Sequence, residues 1–315
     1  MAWQPKNILE SILELDLSAT ASPMSAELSA YQQYYGLNFE DWIVDIDHSI
    51  GFMQTAEFKI VTHLFKQPKA KGTVFLQHGY YDHVGLYGHI IKYCLQQGFN
   101  VFSYDLPGHG LSSGDRAGIQ SFDQYDELFC QGLALIQKFM PGPIVAIGQS
   151  TGGAIIINYL LSRGLTKDTS PFANIYLLAP LIRPLNWKVS LFYYLISKRF
   201  IRKMKRTFSI NSHNSAFLDF LKNHDPLQPL YLNVSWVGAL RKWIKKIENS
   251  AQVDLDVQVI QGTCDGTVDA KHNIKVLEEK FSGLKVTYIE NGRHQLVNEE
   301  PAKLKQVFSA LGGLI

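Results

Sequence analysis

The stretch from Pro143 to Ala154 reads PIVAIGQSTGGA, and it decides the fold. An apolar run typical of a buried strand leads directly into a Gly-x-Ser-x-Gly motif centred on Ser150, and small residues that suit the start of a helix follow. A strand that delivers a serine onto a tight turn before a helix has the form of a nucleophile elbow. Glycine is expected at Gly148 and Gly152 because a side chain there would collide with the neighbouring strand or helix. The turn would aim the Thr151 N–H at a developing oxyanion.

The Gly-x-Ser-x-Gly pattern occurs a second time, around Ser112. That match lies in the polar run from Gly108 to Arg116, beyond the expected end of a strand, and no helical pattern begins directly after it. Only the strand–turn–helix context supports a nucleophile elbow. We therefore interpret Ser112 as a loop residue and Ser150 as the candidate nucleophile.

Short apolar runs alternate with helical patterns from about residue 55 to the end of the chain, with one interruption. Because short buried-type strands separated by helices are typical of parallel sheets, the predicted fold class is α/β. It has a mostly parallel central sheet with helices on both faces. The expected strands are residues 56–65, 72–77, 100–105, 144–147, 174–179, 257–261 and 285–289.

Three regions are expected in this chain of 315 residues. Residues 1–50 form an N-terminal extension, with a short helix over 8–17 and a loop over 19–23. Residues 51–183 and 251–315 form the α/β core. Residues 184–250, hereafter the cap, are rich in aromatic and basic groups, interrupt the alternation and are expected to be mainly helical.

Composition and charge narrow the functional classes. The formal net charge is only +2, so the chain as a whole gives no reason to expect nucleic-acid binding. Its three cysteines include no C-x-x-C pair, which suits a reducing compartment better than a disulfide framework. The acidic first twenty residues do not resemble a signal peptide, and no uncharged apolar run reaches ~18 residues. We expect a cytoplasmic protein, with peripheral attachment to a membrane surface left open; the oligomeric state is not determined.

A serine nucleophile needs a base to take its proton and an acid to orient that base. Ligands bind at the carboxyl ends of the strands in open α/β sheets, so the acid and the base are expected there. Asp265 follows the strand pattern at 257–261, and His294 follows the one at 285–289. They are the candidate acid and base. The alternative for Asp265 is an Asx-turn residue, and Asp269 is expected to cap the next helix instead.

A second oxyanion donor is expected in the loop after the first core strand, which begins HGYYDH at His78. Gly79 would let the backbone approach a substrate, and Tyr80 would supply the N–H. A metal site formed by His78, Asp82 and His83 is the less favoured alternative, because nothing else in the chain completes a ligand set. His109 is interpreted as a structural loop residue.

These motifs together resemble the α/β-hydrolases, in particular the monoacylglycerol lipase and bacterial lysophospholipase branch. HGYYDH is similar to that branch's HG-x-G-E-H loop, and the run from Asp105 to Ser112 to its D-x-x-G-H-G-x-S loop. The resemblance covers about residues 50–315 and implies an α/β-hydrolase fold with an inserted helical cap. It implies Ser150 as nucleophile, His294 as base, Asp265 as orienting acid, and the N–H groups of Tyr80 and Thr151 as the oxyanion hole. Two residues depart from the pattern: Tyr81 replaces the usual glycine, and Asp82 the usual glutamate.

The charge of the chain is unevenly distributed. Residues 181–250 carry a net charge of +10, which leaves −8 for the rest of the chain. One interpretation is a lid that rests on anionic lipid surfaces through its aromatic and basic residues. The other is an ordinary cap whose apolar face lines an acyl pocket while its charges face water. The sequence favours the second interpretation slightly and leaves both open.

The sequence therefore predicts a serine hydrolase of carboxylic esters that works through an acyl-enzyme and needs no cofactor or metal. Monoacyl lipids are the expected substrates. An aminopeptidase and a hydrolase of small esters or amides are alternatives on the same fold. A lipid-binding protein without catalytic activity is the more remote alternative. Fold alone does not decide among them.

Overall fold

The computed structural model describes residues 3–16 and 25–315. Within these ranges an eight-stranded sheet forms the centre of the molecule. Its strands are β1 (Asp47–Gln54), β2 (Lys59–Lys66), β3 (Thr73–Gln77), β4 (Asn100–Tyr104), β5 (Ile144–Gln149), β6 (Phe172–Leu178), β9 (Val253–Gly262) and β10 (Phe281–Ile289). The short strands β7 (Lys203–Lys205) and β8 (Tyr231–Asn233) pair with each other outside this sheet.

The strand order is β1-β2-β4-β3-β5-β6-β9-β10. Strands β4, β3, β5, β6, β9 and β10 are parallel, whereas β1 and β2 form an antiparallel hairpin at one edge. The predicted mostly parallel sheet is confirmed. Because the parallel strands all end at the same edge, the loops after β3, β5, β9 and β10 meet there.

Helices cover both faces of the sheet. Alternate residues of β3 show this: Phe75 packs against Phe102 and Phe129 on one face, while Val74 and Leu76 belong to the apolar cluster on the other. Such strands are buried on both sides, which is why they appear in the sequence as continuous apolar runs. The helices are α1 (Pro5–Ser11), α2 (Ala26–Tyr35), α3 (Gly88–Gln96), α4 (Phe122–Phe139), α5 (Thr151–Ser162), α6 (Trp187–Ser197), α7 (Ser215–Asp219), α8 (Val234–Glu248), α9 (Ala270–Lys280) and α10 (Pro301–Leu311).

The N-terminal region packs onto the core. The predicted helix over residues 8–17 is wrong in its bounds: α1 begins at Pro5 and ends at Ser11, and Ile12 is already extended. Residues 13–15 then run beside β1, where the Leu15 N–H donates to the Phe52 carbonyl at 2.9 Å. Sheet hydrogen bonds thus override the helical pattern in this segment. The loop predicted over residues 19–23 lies outside the described residues.

The cap contains α6, β7, α7, β8 and α8, together with a π-helical turn at Phe220–His224. The expectation of mainly helical structure omitted the antiparallel pair β7–β8. This pair joins the two main helices of the cap, and each of its strands has three residues, too short for a period-two pattern to be recognised. No helix in the described ranges is both long and apolar enough to cross a bilayer.

Two buried histidines, His48 of β1 and His63 of β2, lie next to α2. His48 Nε2 is 3.1 Å from His63 Nδ1, and Gln32 of α2 contacts the other nitrogen of His48. Burial, with the nearby His83, lowers the pKa of His63 to about 3, and burial also places the pKa of His48 well below its ordinary value. The unfolded chain, in which the pKa of a histidine is about 6.5, therefore binds more protons than the folded one in the window between these values.

The free energy of unfolding is expected to fall as pH is lowered from about 6.5 towards 3, because protons bind preferentially to the unfolded state. His63→Gln should flatten this dependence by up to about 1.4 kcal/mol per pH unit. The measurement is urea denaturation at a series of pH values. His224→Gln is the matched control, since the His224 side chain is 60% exposed. Equal slopes in the wild type and His63→Gln would contradict the prediction.

Candidate active site

Ser150 lies at a sharp turn between β5 and α5. Its backbone has φ 54° and ψ −112°, a strained conformation for a non-glycine residue, and its N–H donates to the Leu178 carbonyl at 2.9 Å. A Cβ on Gly148 would lie 2.5 Å from the backbone carbon of Gly152, and one on Gly152 would lie 2.2 Å from the Gln77 carbonyl oxygen. Both glycines are therefore required by the close approach of α5 to β3 and β5.

His294 and Asp265 lie beside Ser150. Along the chain, His294 is 144 residues from Ser150 and 29 residues from Asp265. His294 Nε2 is 3.0 Å from Ser150 Oγ, and His294 Nδ1 is 2.8 Å from Asp265 Oδ2. The Gln149 side-chain amide donates to the His294 carbonyl at 2.8 Å and fixes the backbone of the histidine. This geometry allows the imidazole to accept the serine proton while the carboxylate holds its other nitrogen.

The Asp265 carboxylate is fully buried and accepts four hydrogen bonds. The backbone N–H groups of Thr267 and Val268 donate to Oδ1, and Gln261 Nε2 and His294 donate to Oδ2. Burial alone would raise the pKa of Asp265, but His294 and these donors bring it below its ordinary value. Asp265 therefore stays ionised and is also the centre of an Asx turn, so the two interpretations of this residue are compatible. Asp269 caps α9, as expected, by accepting from the His272 N–H.

The loop after β3 makes a tight turn next to Ser150. The Asp82 N–H donates to the Gly79 carbonyl at 3.1 Å, so Tyr80 and Tyr81 occupy the two corners. Tyr81 has φ 73°, a conformation that favours glycine at this corner of a type II turn. The turn is held in place because the Tyr87 hydroxyl accepts from the Gly79 N–H and donates to the Asp82 carboxylate. Tyr81 thus adopts the positive-φ backbone conformation that the glycine of the family pattern would adopt at this position.

The two predicted oxyanion donors both border the cavity that contains Ser150. Thr151 is the first residue of α5, so its N–H has no acceptor within the helix. Tyr80 occupies the first corner of its turn, outside the turn's own hydrogen bond. The Tyr80 ring stacks on Trp236 of α8 with centroids 3.8 Å apart, which ties this loop to the cap.

The other residues singled out in the sequence have structural partners. Ser112 Oγ accepts from the Val61 N–H and donates to the Asp105 carbonyl, which agrees with its interpretation as a loop residue. His109 donates to its own loop, at the Pro107 carbonyl. His78 bonds to the Gly79 carbonyl and the Leu106 N–H.

The other two residues of the alternative metal site also have partners. His83 bonds to Asp225, and the Asp82 carboxylate accepts from Gln295 and Tyr87. No group of three His, Cys, Asp or Glu side chains in the described part of the chain is arranged to hold a metal ion.

A cavity of about 260 Å³ lies over Ser150 and His294, between the core and the cap. One part of its wall is apolar and is formed by Leu181, Trp187, Leu232, Trp236, Val237 and Leu240. Another part is polar and is formed by Tyr81, Asp82, Arg206, Ser209 and Asn211. The arrangement suits a molecule with an apolar chain and a polar end.

One buried contact between the cap and the core was not foreseen from the sequence. Asp225, at the end of the π-helical turn, lies 3.0 Å from His83 Nε2, and both side chains are inaccessible to solvent. The Tyr35 hydroxyl of α2 donates to the same carboxylate at 2.7 Å. These contacts span about 140 and 190 residues along the chain, and no local pattern marks them. Asp225 thereby joins the N-terminal region, the loop after β3 and the cap.

Comparison with known families identifies a match over most of the chain. A family model described as serine aminopeptidase, S33, matches residues 68–301. The monoglyceride lipase of Homo sapiens is 26% identical over 250 residues, which cover 76% of this chain and 80% of that protein. The resemblance to the monoacylglycerol lipase branch that the motifs indicated is confirmed.

Solved structures establish the fold. Paleococcus ferrophilus monoacylglycerol lipase superimposes with a TM-score of 0.67 at 19% identity, covering 80% of this chain and 96% of that one. A soluble variant of monoglyceride lipase from Saccharomyces cerevisiae, in complex with a substrate analog, gives a TM-score of 0.71 at 18% identity, covering 84% of this chain and 93% of that one. The predicted α/β-hydrolase fold is confirmed.

Gly152→Ala is expected to destabilise the protein by about 1–3 kcal/mol, because the new methyl group overlaps the Gln77 carbonyl and must push α5 away from the sheet. Urea denaturation measures the loss. Gly266→Ala is the matched control: its Cβ would have no atom within 4 Å. Equal free energies of unfolding for the two variants would show that α5 moves freely relative to β3.

Proposed function

The chain belongs to the serine aminopeptidase S33 family of α/β-hydrolases, and we propose that it is a serine hydrolase that cleaves carboxylic esters of monoacyl lipids. The observation that carries this proposal is the hydrogen-bonded series Ser150–His294–Asp265 under a cavity with both an apolar and a polar wall. Neither part suffices alone. The hydrogen-bonded series provides a nucleophile, and the cavity provides space for a chain with a polar end.

In the proposed first half-reaction, Ser150 Oγ attacks the ester carbonyl and its proton moves to His294 Nε2. The Asp265 carboxylate orients the imidazole and stabilises the imidazolium that forms. The carbonyl oxygen becomes an oxyanion, which the N–H groups of Tyr80 and Thr151 stabilise. The tetrahedral intermediate then collapses, His294 gives its proton to the leaving alcohol oxygen, and the acyl group remains bonded to Ser150.

In the second half-reaction, a water molecule loses a proton to His294 Nε2 and attacks the acyl carbonyl. The same two N–H groups stabilise the second oxyanion. Ser150 Oγ leaves and regains its proton from His294, which releases the fatty acid and restores the enzyme. The proposed steps use only side chains and backbone groups of this chain.

The apolar wall supports a long acyl chain as part of the substrate. Trp236, Val237 and Leu240 of α8 lie on the same cavity as Ser150, and α8 is held there because its remaining apolar residues pack on the core. Trp243, for example, stacks on Phe122 of α4 with centroids 4.7 Å apart. The monoglyceride lipase relatives support the same substrate class.

The aminopeptidase alternative is less well supported, although the family model carries that description. Recognition of a free amino terminus calls for a carboxylate that is available to an ammonium group. The Asp82 carboxylate borders the cavity but already accepts from Gln295 and Tyr87, and Asp225 is engaged by His83. Arg206 also borders the cavity, and its positive charge would repel an ammonium group.

The two open interpretations of the cap apply to different helices. In α8, Trp236, Leu240 and Trp243 are buried while Arg241 and Lys242 face water, as in an ordinary cap. In α6 no residue is buried. Its exposed apolar side chains recur at helical spacing and continue beyond its end: Val189, Phe192, Tyr193, Ile196 and Phe200.

Basic residues border this exposed stripe, including Lys188, Lys198, Arg199 and Arg202, each of which is exposed. We propose that the α6 stripe contacts anionic lipid surfaces, with the apolar residues entering the interface and the basic residues meeting the lipid head groups. This contact would bring the cavity close to its lipid substrate.

Ser150→Ala is expected to abolish hydrolysis of p-nitrophenyl esters from C2 to C16, with a loss of at least about 10³-fold in kcat, since the nucleophile is absent. In the wild type, activity should peak at C8 or longer. Ser112→Ala, the matched control from the second Gly-x-Ser-x-Gly motif, should keep its turnover per folded molecule. Activity confined to C2–C4 would favour a small-ester hydrolase. Absence of Ser150-dependent turnover at every length would favour a peptidase or a non-catalytic lipid-binding protein.

Phe192→Ser combined with Phe200→Ser is expected to reduce co-sedimentation with vesicles of phosphatidylglycerol and phosphatidylcholine at least threefold, because two exposed rings leave the interface. Tyr288→Ser is the control, since Tyr288 is 57% exposed but lies on β10, outside the cap. Binding that is equal in all three proteins, or equal on vesicles without anionic lipid, would contradict the proposed contact.

A further inference from the structure

The Arg206 guanidinium is held in a fixed position at the edge of the cavity. Its central carbon lies 4.0 Å from the Tyr81 ring centroid and 4.5 Å from that of Phe208. Its Nη1 donates to Gln228 Oε1 at 2.7 Å and to the Pro229 carbonyl at 3.4 Å. Ring contacts and these bonds restrict a side chain that is otherwise flexible, so the position of its charge is preorganised.

The remaining donors of Arg206 are available. Within the described residues, Arg206 Nε and Nη2 make no hydrogen bond. No carboxylate oxygen of these residues lies within 4.0 Å of the guanidinium nitrogens, the distance that defines an ion pair. The nearest acidic groups act from further away: Asp82 is engaged by Gln295 and Tyr87, and Asp225 reaches Arg206 only through Gln228. A guanidinium that lines a substrate cavity with its Nε and Nη2 edge unpaired has the geometry to donate hydrogen bonds to two oxygens of one anion.

Neighbouring groups add neutral polar contacts to the same wall. Ser209 and Asn211 follow Arg206 along the chain and also border the cavity, and the Asn211 side-chain oxygen is buried without a partner in the described residues. The apolar residues Trp236, Val237 and Leu240 line the same cavity and suit the acyl chain. An acyl chain carries no charge, so the group that reaches Arg206 belongs to the alcohol part of the ester.

We propose that Arg206 forms a phosphate subsite for the alcohol part of the substrate, so that monoacyl glycerophosphates are preferred over neutral monoacylglycerols. This inference rests on the proposed function and specifies the head group of its substrate. The net charge of +10 over residues 181–250 favours the approach of such an anion. Tyr81, the residue that replaces the glycine of the family pattern, contributes the ring on which the guanidinium rests.

Hydrolysis of 1-lauroylglycerol 3-phosphate and 1-lauroylglycerol by the wild type and variants tests the subsite. The wild type is expected to favour the phosphate ester at least tenfold in kcat/KM. Arg206→Gln should lower this ratio at least tenfold, mainly through KM, since hydrogen bonds to charged groups contribute about ten- to hundredfold. Arg206→Lys should give an intermediate ratio, because it keeps the charge but loses the paired donors. Arg241→Gln, which removes an exposed arginine of α8 that faces water, is the matched control and should keep the wild-type ratio within twofold.

A wild type that prefers the neutral ester, or an Arg206→Gln ratio within twofold of the wild type, overturns the inference.

Inhibition of p-nitrophenyl laurate hydrolysis distinguishes the source of the phosphate. If glycerol 3-phosphate inhibits more strongly than inorganic phosphate, and this inhibition depends on Arg206, the result supports a head-group site. Equal inhibition by the two compounds overturns it. Failure of the proposed function is recognised separately, as the absence of Ser150-dependent turnover of any ester. In that case calorimetry with 1-lauroylglycerol 3-phosphate still tests this inference. Binding to the wild type that is lost in Arg206→Gln supports the subsite, and binding that is retained in the variant overturns it.

Discussion

The close approach of α5 to β3 and β5 is the constraint on which the site depends. Gly148 and Gly152 allow backbone atoms to come so near that no side chain fits between them, and this contact sets the direction in which α5 leaves the sheet. Ser150, at this junction, has a strained backbone conformation, and its hydroxyl lies within hydrogen-bond distance of His294. Packing energy from the fully buried residues of α5 offsets that strain. The strained serine is thus a product of helix–sheet packing.

Asp225 provides a second constraint, of electrostatic origin. A buried carboxylate is tolerated only when donors replace the lost water, and here they come from three separate regions: His83 from the loop after β3, Tyr35 from α2, and Gln228 and the Leu227 N–H from the cap itself. These bonds and the Tyr80–Trp236 stack hold the cap against the loop that carries Tyr80. The shape of the cavity and the position of that loop are therefore linked.

The central sheet and the meeting of Ser150, Asp265 and His294 were predictable from the sequence, for a physical reason. Strands buried on both faces leave continuous apolar runs, and parallel strands bring the residues that follow them to one edge. The catalytic roles of these residues stay predictions. Contacts such as Asp225–His83 and Arg206–Tyr81 were not predictable, because they join residues more than a hundred positions apart that no periodic pattern relates. The sequence of α8 is clearly amphipathic, whereas that of α6 is mostly apolar. Only the tertiary structure shows that the apolar face of α8 is buried and that most apolar side chains of α6 are exposed.

The high exposure of α6 also has a consequence for local stability. Trp187 and Tyr194 of α6 are partly buried against the core, but no residue of the helix is fully buried, so tertiary packing stabilises it less than α8. Eleven residues are also too few for a stable isolated helix. The amide hydrogens of α6 are accordingly expected to exchange with solvent earlier than those of α8. Since Trp187 and Ser190 of α6 line the cavity, unfolding of this helix alone would remove part of the cavity wall while α8 stays in place. Entry of a long chain would then require local unfolding of α6 and no movement of the whole cap.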